Sequence, residues 1–399
     1  YSNLTVTHST ISKSPTNGIY LGGNTTAPLV KNSTIAENSR NGILVNPSGV
    51  NGDHTPTIRD NSVLDNGRYG IVVKFSYRPL LPLLSGNSLS GNNFHQLVSL
   101  QGILAEGVLT LPADGKIGDM FYALGRLTVR DDATVQVEPS AVVKFEGTGQ
   151  LHMEGGTLVA RGTASDSIVF TSLKDDTAGG DTNGDGDVTQ PMPGDSGCIF
   201  VEQSYTRQGR AVLEHVTVRY GGVCGYYPAD VAVRSGLLTV TDSTIEKSSQ
   251  NGIYVVGGAL TVTNSIIAQN QADGIYASNT TLHLSDNVIA DNSEEGLEHR
   301  GNDYPVLIEN NEIRENGRSG ITWTPVGYLD PITPTIRNNQ LIGNGRYGLV
   351  VNFGRTDLPL LSGNSLSGNN FHQLVSLQGI ISEGILALPA DGRIGDTSY

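Results

Sequence analysis

The sequence predicts an all-β solenoid, and two observations predict it. Three short apolar patches recur at a fixed step of 22 residues between Leu238 and Leu297. Leu238-Thr239-Val240 returns as Leu260-Thr261-Val262 and Leu282-His283-Leu284; Ile245 as Ile267 and Ile289; Gly252-Ile253 as Gly274-Ile275 and Gly296-Leu297. Between the patches lie turn formers, Asn251-Gly252, Gly257-Gly258 and Asp273-Gly274. Alternating runs of Val, Ile, Thr and Leu bounded by Gly and Asn read as strands. Self-similarity at such a step means a solenoid, and the lack of helical periodicity makes it a β-solenoid.

A chain of 399 residues would ordinarily suggest two or three domains. A solenoid instead has one continuous core whatever its length. Apolar residues are 37% and aromatics 6%, low for a globular domain but enough where each coil buries a thin layer. The 50 glycines suit many sharp turns. Net charge is -14, with 25 basic residues and no basic run, which argues against nucleic acid as a partner. No stretch of 18 apolar residues exists to span a membrane as a helix. The chain opens on Tyr1 with no visible signal peptide, which reads as a processed piece or an excerpt. Cys198 and Cys224 lie 26 residues apart, about one coil with a longer turn. They read either as two free, half-buried thiols or as a disulfide.

Along the chain the coil pattern is nested in a larger repeat. Residues 1–122 carry coils that open at Leu4-Thr5-Val6, with Gly18-Ile19, Gly42-Ile43 and Gly70-Ile71 spaced 24 and 28 residues apart. Segment 279–399 is nearly the same text: PTIRDNSVLDNGRYGIVV at 56–73 returns as PTIRNNQLIGNGRYGLVV at 334–351. The stretch Ser85–Ile103 returns letter for letter as Ser362–Ile380. The chain therefore reads as one period of about 277 residues plus the opening 122 of the next. That is a window on a tandem array or a single duplication within one domain. In an array, the parent polypeptide is expected to continue after Tyr399 with text like Ala123-Leu124-Gly125-Arg126-Leu127-Thr128-Val129. Segment 123–278 is unrepeated. It holds short strands at Leu127–Val129, Val135–Val137, Val142–Phe145, Leu158–Ala160, Ile168–Phe170, Ile199–Val201 and Val212–Val216, and one polar excursion at 171–197. Coils at the ~4.8 Å sheet spacing, roughly 11 or 12 per period, would span about 55 Å.

Asparagine keeps its phase in the coils. Asn264, Asn287, Asn311, Asn339 and Asn364 each precede an apolar position by two residues, and Asn270, Asn292, Asn316, Asn344 and Asn369 follow five or six later. Stacked, they would form structural ladders, each amide bonding its neighbour above and the turn backbone beside it.

The unit LTVTDSTIEKSSQNGIYVVGG (238–258) and the stretch Ala133–Ser172 resemble the right-handed parallel β-helix family, as found in large secreted and surface proteins of bacteria. The resemblance implies three parallel strands per coil stacked into a prism. It implies no single function, since the family includes polysaccharide lyases, glycoside hydrolases, adhesins and inert fibres.

Asp181-Thr182-Asn183-Gly184-Asp185-Gly186-Asp187 matches the first half of a calcium loop, with alternate oxygen ligands and a glycine at the sharp turn. Position twelve is Met192 where a bidentate Glu belongs, so Asp195, Asp175 or Asp176 would have to supply the missing carboxylate. The expected ligands are Asp181, Asn183, Asp185, Asp187 and Asp195, holding a structural Ca²⁺ that pins the excursion. Read otherwise, the loop is a solvated acidic excursion.

An enzyme needs paired carboxylates; in an inverting glycosidase they lie ~6.5–9.5 Å apart. The polygalacturonases resemble one another in N-x-D, D-D, G-H and R-x-K signatures. Asp131-Asp132 and Asp175-Asp176 occur without a G-H or an R-x-K. Pectate lyases resemble a calcium cluster beside an Arg. Arg68 and Arg346 sit in equivalent turns, but Asp65 in the first copy is Gly343 in the second. No catalytic residue is assigned. His95 and His372, the same place in two copies, read as packing residues, and sequons begin at Asn3, Asn24, Asn32 and Asn279.

Uniform coils and repeated periods suit a fibre, whereas the unrepeated segment offers only the metal-like loop. The sequence reading is thus a non-catalytic extracellular or cell-surface filament, adhesive in one form of it. Its partners would be copies of itself, through tandem continuation or end-to-end stacking, and surface polysaccharide. The alternative is a carbohydrate-binding or polysaccharide-degrading β-helix protein.

Overall fold

The fold was analysed in a computed structural model, which describes residues 4–22, 27–46, 55–94, 96–186, 188–301, 304–325, 332–353, 358–380, 386, 388 and 390–399. Asn3, Asn24, His95 and Asp187, named above, and the side chain of His372, lie outside the described residues.

Each coil lays down three strands. In one turn these are Leu237–Thr241, Thr244–Glu246 and Asn251–Val256; the next turn repeats them as Ala259–Thr263, Ile266–Ala268 and Ile275–Ser278. Corresponding strands pair in parallel. Leu238 faces Leu260 and then Leu282, Ile245 faces Ile267 and then Ile289, and Ile253 faces Ile275 and then Leu297. The 22-residue step is therefore one full turn, and about 14 turns build three parallel sheets, here called the first, second and third in the order the chain meets them. No helix occurs among the described residues, and none is long and apolar enough to cross a membrane. The inward residues form one continuous core, from Ile19 and Val30 through Val240 and Ile253 to Leu361 and Val375.

The corners explain the asparagines. The residue after a first-sheet strand is left-handed: Asp242, Asn264, Asp286, Asn310 and Asn338 have φ of 49–58°. Asn and Asp tolerate that conformation best among side-chain-bearing residues. The next residue turns inward and forms the ladder. Asn287 Nδ2 donates to Asn311 Oδ1 at 2.9 Å, Asn311 to Asn339 at 2.9 Å, and Asn339 to Asn364 at 3.0 Å. Asn264 does not belong to this ladder. The apolar residue two places on, Ile266, is 45% exposed, so the ladder position in that turn is Ser265, whose N–H donates to Asn287 Oδ1 at 2.9 Å. Asn264 is exposed and instead donates to Asp242 one turn earlier. The second corner carries its own ladder, Asn270 to Asn292 to Asn316 to Asn344 to Asn369, at 2.8–3.0 Å. Glycine follows because of it: a Cβ on Gly274 would lie 2.8 Å from Asn292 Nδ2 and 2.7 Å from Gly296 O.

Three expectations change in detail. Val212–Val216 is two strands, Arg210–Glu214 and Val216–Arg219, because left-handed His215 (φ 50°) makes a corner between them. Thr171 and Ser172 belong to the strand Ile168–Ser172, so the excursion runs from 173 to 197. Among the described residues of 1–278 the third sheet has ten strands, fewer than the 11 or 12 turns expected, since that excursion and strands of 11 and 13 residues lengthen the unrepeated turns.

The two copies wind in the same register. Asp119 accepts the Gly86 N–H at 2.6 Å and Asp396 the Gly363 N–H at 2.6 Å. Tyr69 meets Phe94 edge-on at 4.8 Å, and Tyr347 meets Phe371 edge-on at 5.1 Å. Asp65 and Gly343 share a left-handed corner (φ 50° and 64°), so their exchange follows backbone geometry.

Candidate functional site

The outward residues of the third sheet align in a column parallel to the axis. Register places His152, Phe200, Ala232, Tyr254, Tyr276 and Glu298 one above another on successive turns. Ala232 leaves a gap, which Tyr227 fills from a loop packed against it. The result is a row of rings: His152–Phe200 at 4.7 Å, Phe200–Tyr227 at 5.2 Å, Tyr227–Tyr254 at 5.9 Å and Tyr254–Tyr276 at 4.6 Å. The loop is tied down by a disulfide between Cys198 and Cys224, whose Cα atoms are 5.5 Å apart. Both cysteines are 1% exposed, so they are a buried bridge and not half-buried thiols. Disulfides persist in oxidising compartments, which places the chain outside a reducing cytoplasm.

Charged groups flank both ends of the row. Arg300 lies 5.7 Å over Tyr276 and pairs with Glu298 at 2.7 Å. Beside them Arg318 bridges Glu294 at 2.9 Å and Glu295 at 3.5 Å. Asp273, 4% exposed, accepts the Glu295 N–H at 3.0 Å. Burial, with the Glu295 and Glu298 charges added, raises the Asp273 carboxyl to about 8. Burial raises Glu295 as well, against the pull of Arg318. At the other end His152 Nε2 lies 2.8 Å from Glu202, which also meets Arg234 at 3.7 Å. Burial holds His152 below its ordinary value despite that carboxylate. A polar cavity of about 570 Å³ opens there between Glu154, Glu202, Arg234 and Tyr205.

The chemistry on offer follows from the stacking. Tyr254 and Tyr276 lie within 8° of parallel, so each covers the other's face and leaves ring edges as the part open to a ligand. Each arginine of the strip has a glutamate partner, so the strip is polar without a strong net positive field. The accessible part of the strip, half-buried Tyr227, Tyr254 and Tyr276, extends along the axis over successive turns at ~4.8 Å each.

The acidic excursion is a second cluster. Carboxylate oxygens of Asp176, Asp181 and Asp185 come within 4.8 Å of one another. The set is all oxygen, as a hard cation requires. Asp181 also accepts the N–H groups of Gly184 at 2.7 Å and Gly186 at 2.8 Å, which hold its carboxyl below the usual range. Asp195 is not brought in: it faces Lys174 at 2.8 Å and the Met192 N–H at 2.9 Å. Asn183 stands beside the cluster, donating to Asp185 at 2.9 Å. Asp175 is buried and pairs with Arg219 at 2.7 Å. The buried Lys144 ammonium donates to the carbonyls of Asp175 and Gly180, both at 2.9 Å, so a fixed positive charge already sits behind the loop.

The remaining sequence candidates are dispersed. Asp132 pairs with Arg207, Asp131 is a left-handed corner (φ 51°), and Arg68 lies 5.8 Å over Phe94. The aromatic row was missed, although Tyr254 and Tyr276 repeat at the 22-residue step. Phe200, Tyr227 and His152 carry no such spacing.

Three parallel sheets, inward asparagine ladders and a lined outer face define a parallel β-solenoid. The chain belongs to the right-handed β-helix family: the family model described as "Right handed beta helix region" matches residues 1–107 and 200–386. No curated protein sequence matches it. Similar solved structures include the periplasmic alginate epimerase AlgG (11% identical, TM-score 0.40, covering 88% of this chain and 77% of that one). Others are pectate lyase Pel9A (15%, TM-score 0.31, 71% and 69%) and the A-module of the Azotobacter vinelandii mannuronan C-5 epimerase AlgE4 (13%, TM-score 0.30, 72% and 91%). At these values the likeness lies in the winding, and no residue is carried over.

Proposed function

We propose that this protein binds an extended polysaccharide along the outer face of its third sheet. The observation that carries the reading is the aromatic row, in which half-buried Tyr227, Tyr254 and Tyr276 reach the surface and buried His152 and Phe200 back them, flanked by charged groups at both ends. Ring edges, phenol hydroxyls and ion-paired carboxylates match the alternating C–H and O–H surface of a sugar chain. With a net charge of -14 and its arginines paired, the strip favours an uncharged chain over a polyanion. The test is affinity electrophoresis of the full chain in xylan, glucomannan, polygalacturonate and alginate. Retardation is expected in a neutral polymer, with Tyr254→Ala/Tyr276→Ala weakening it roughly tenfold or more. Free migration in all four polymers defeats the reading.

A second reading, a non-catalytic surface filament, is favoured by the identical winding of the two copies. Electron microscopy of native material showing rods would support it, and isolated short particles would count against it. Independently, we propose that Asp176, Asp181 and Asp185 hold a structural calcium ion, which would tie the excursion to its own start.

A further inference from the structure

A groove of about 630 Å³ lies on the same outer face, nearer the second corner; Tyr69, Phe94, Gln101, Gly125 and Arg126 come from turns before the aromatic row, and Glu146, Gly147 and Gly149 share the strand Val142–Glu154 with His152. Its size is that of an ordinary small-ligand site. Its floor is rich in glycine, with exposed Thr148 between Gly147 and Gly149. Gly149 is held to glycine because a Cβ would lie 2.4 Å from Leu124 O. Gly147 is left-handed (φ 45°) and has nothing within 4 Å of where a side chain would start. Gly125 lies beside them, its Cβ direction meeting Glu146 at 3.3 Å and Gln101 at 3.4 Å.

The walls differ in kind. On one side Phe94 is 50% exposed, braced edge-on by Tyr69 at 4.8 Å. Tyr69 donates its hydroxyl to Glu146 at 2.6 Å, and burial, with Glu146 beside it, raises that hydroxyl's pKa so that it stays protonated. Gln101 contributes an amide, which donates to Ser99 at 2.9 Å, and Arg126 an exposed guanidinium.

The groove joins two kinds of text. Tyr69, Phe94 and Gln101 belong to the repeated segment and return as Tyr347, Phe371 and Gln378. Gly125, Arg126, Glu146, Gly147 and Gly149 belong to the unrepeated segment 123–278. The repeated wall is completed into a groove where it meets this glycine floor.

We infer that this groove is a saccharide-binding subsite, separate from the strip that holds the polymer. A floor with glycine at 125, 147 and 149 admits a ring close to the backbone, with Thr148 beside it. One half-exposed phenyl ring offers an apolar edge or face, and carboxylate, amide and guanidinium around it offer donors and acceptors for vicinal hydroxyls. A purely apolar ligand would leave those polar groups without water or partners, and a strongly charged one would meet both Glu146 and Arg126. The inference takes its ligand class from the proposed function, and its residues are independent of the strip.

The test is isothermal titration of the full chain with xylotriose, mannotriose and cellotriose, ligands too short to need the strip, beside the polymer assay above. Circular dichroism checks that each variant folds. At least one trisaccharide is expected to bind. Phe94→Ala, which removes the wall, and Gly125→Ala, which raises the floor, should each weaken it roughly tenfold or more. Tyr254→Ala/Tyr276→Ala should leave trisaccharide binding unchanged. No heat with any trisaccharide, or binding that falls only in the tyrosine variant, overturns the inference. Polymer binding that survives the tyrosine variant but is lost with Phe94→Ala would uphold the groove and defeat the strip.

Discussion

Asp273 accepts the backbone N–H of Glu295 through a side-chain oxygen at 3.0 Å, while its own N–H is taken by Asn251 one turn earlier at 3.1 Å. In the first copy the same corner is served by asparagines, with Asn17 accepting the Asn41 N–H at 3.2 Å. A buried carboxyl thus stands in an asparagine's place, and it does so best when protonated.

A pH dependence of stability follows. Folding raises the Asp273 carboxyl from 3.8 to about 8. Between those values the folded chain holds a proton that the unfolded chain has released. The stabilisation is complete below the unfolded value and is lost as pH rises through the folded one. Each such proton tilts stability by about 1.4 kcal/mol per pH unit. Asp230, fully buried and raised by burial, acts in the same direction. Denaturant unfolding at several pH values should show the wild type losing stability relative to Asp273→Asn as pH rises from about 4 to about 8. An unchanged slope in that variant would show that Asp273 is ionised in the fold.

Ladder and corner asparagines should separate by mutation. Asn316 accepts from Asn292 at 2.9 Å and donates to Asn344 and to Ile289 O, both at 3.0 Å, with 1% of its surface exposed. Asn316→Ala leaves buried groups without partners and should cost about 2–4 kcal/mol. Asn264→Gly changes an exposed left-handed corner and should cost a few tenths of a kcal/mol, ~0.3. Equal losses in chemical denaturation would contradict the ladder assignment.

The disulfide should position Tyr227. Cys198→Ala/Cys224→Ala opens a link across 26 residues and should cost roughly 2–4 kcal/mol. It should also free the loop that covers Ala232, so polymer binding and the near-ultraviolet tyrosine signal should fall together. Thiol titration of the folded wild type should find no free sulfhydryl.

Calcium should bind with measurable heat and raise the melting temperature. Asp181→Ala and Asp185→Ala should abolish the heat, and Asp195→Ala, which faces Lys174, should leave it intact. Lys144 supplies a competing positive charge behind the loop, so Lys144→Met, if it folds, should tighten calcium binding. Absence of heat in the wild type would leave Lys144 as the loop's cation.

By itself the sequence determined the winding. A 22-residue step in Leu238, Leu260 and Leu282 puts like residues on like, and period-2 alternation then decides which of them face inward. The acidic loop was legible in part, because Asp181 and Asp185 are neighbours in the chain. Among the three carboxylates the sequence offered to complete it, only the tertiary structure could choose Asp176 over Asp195 and Asp175, since that depends on how the loop folds back and where Lys174 and Arg219 reach. It alone decided that Ser265 and not Asn264 is the ladder residue, because one step of the backbone exchanges inside for outside. The aromatic row lay beyond one-dimensional reading for the same reason. His152, Phe200 and Tyr227 reach one column through coils of unequal length and a disulfide-closed loop, and sequence spacing records neither.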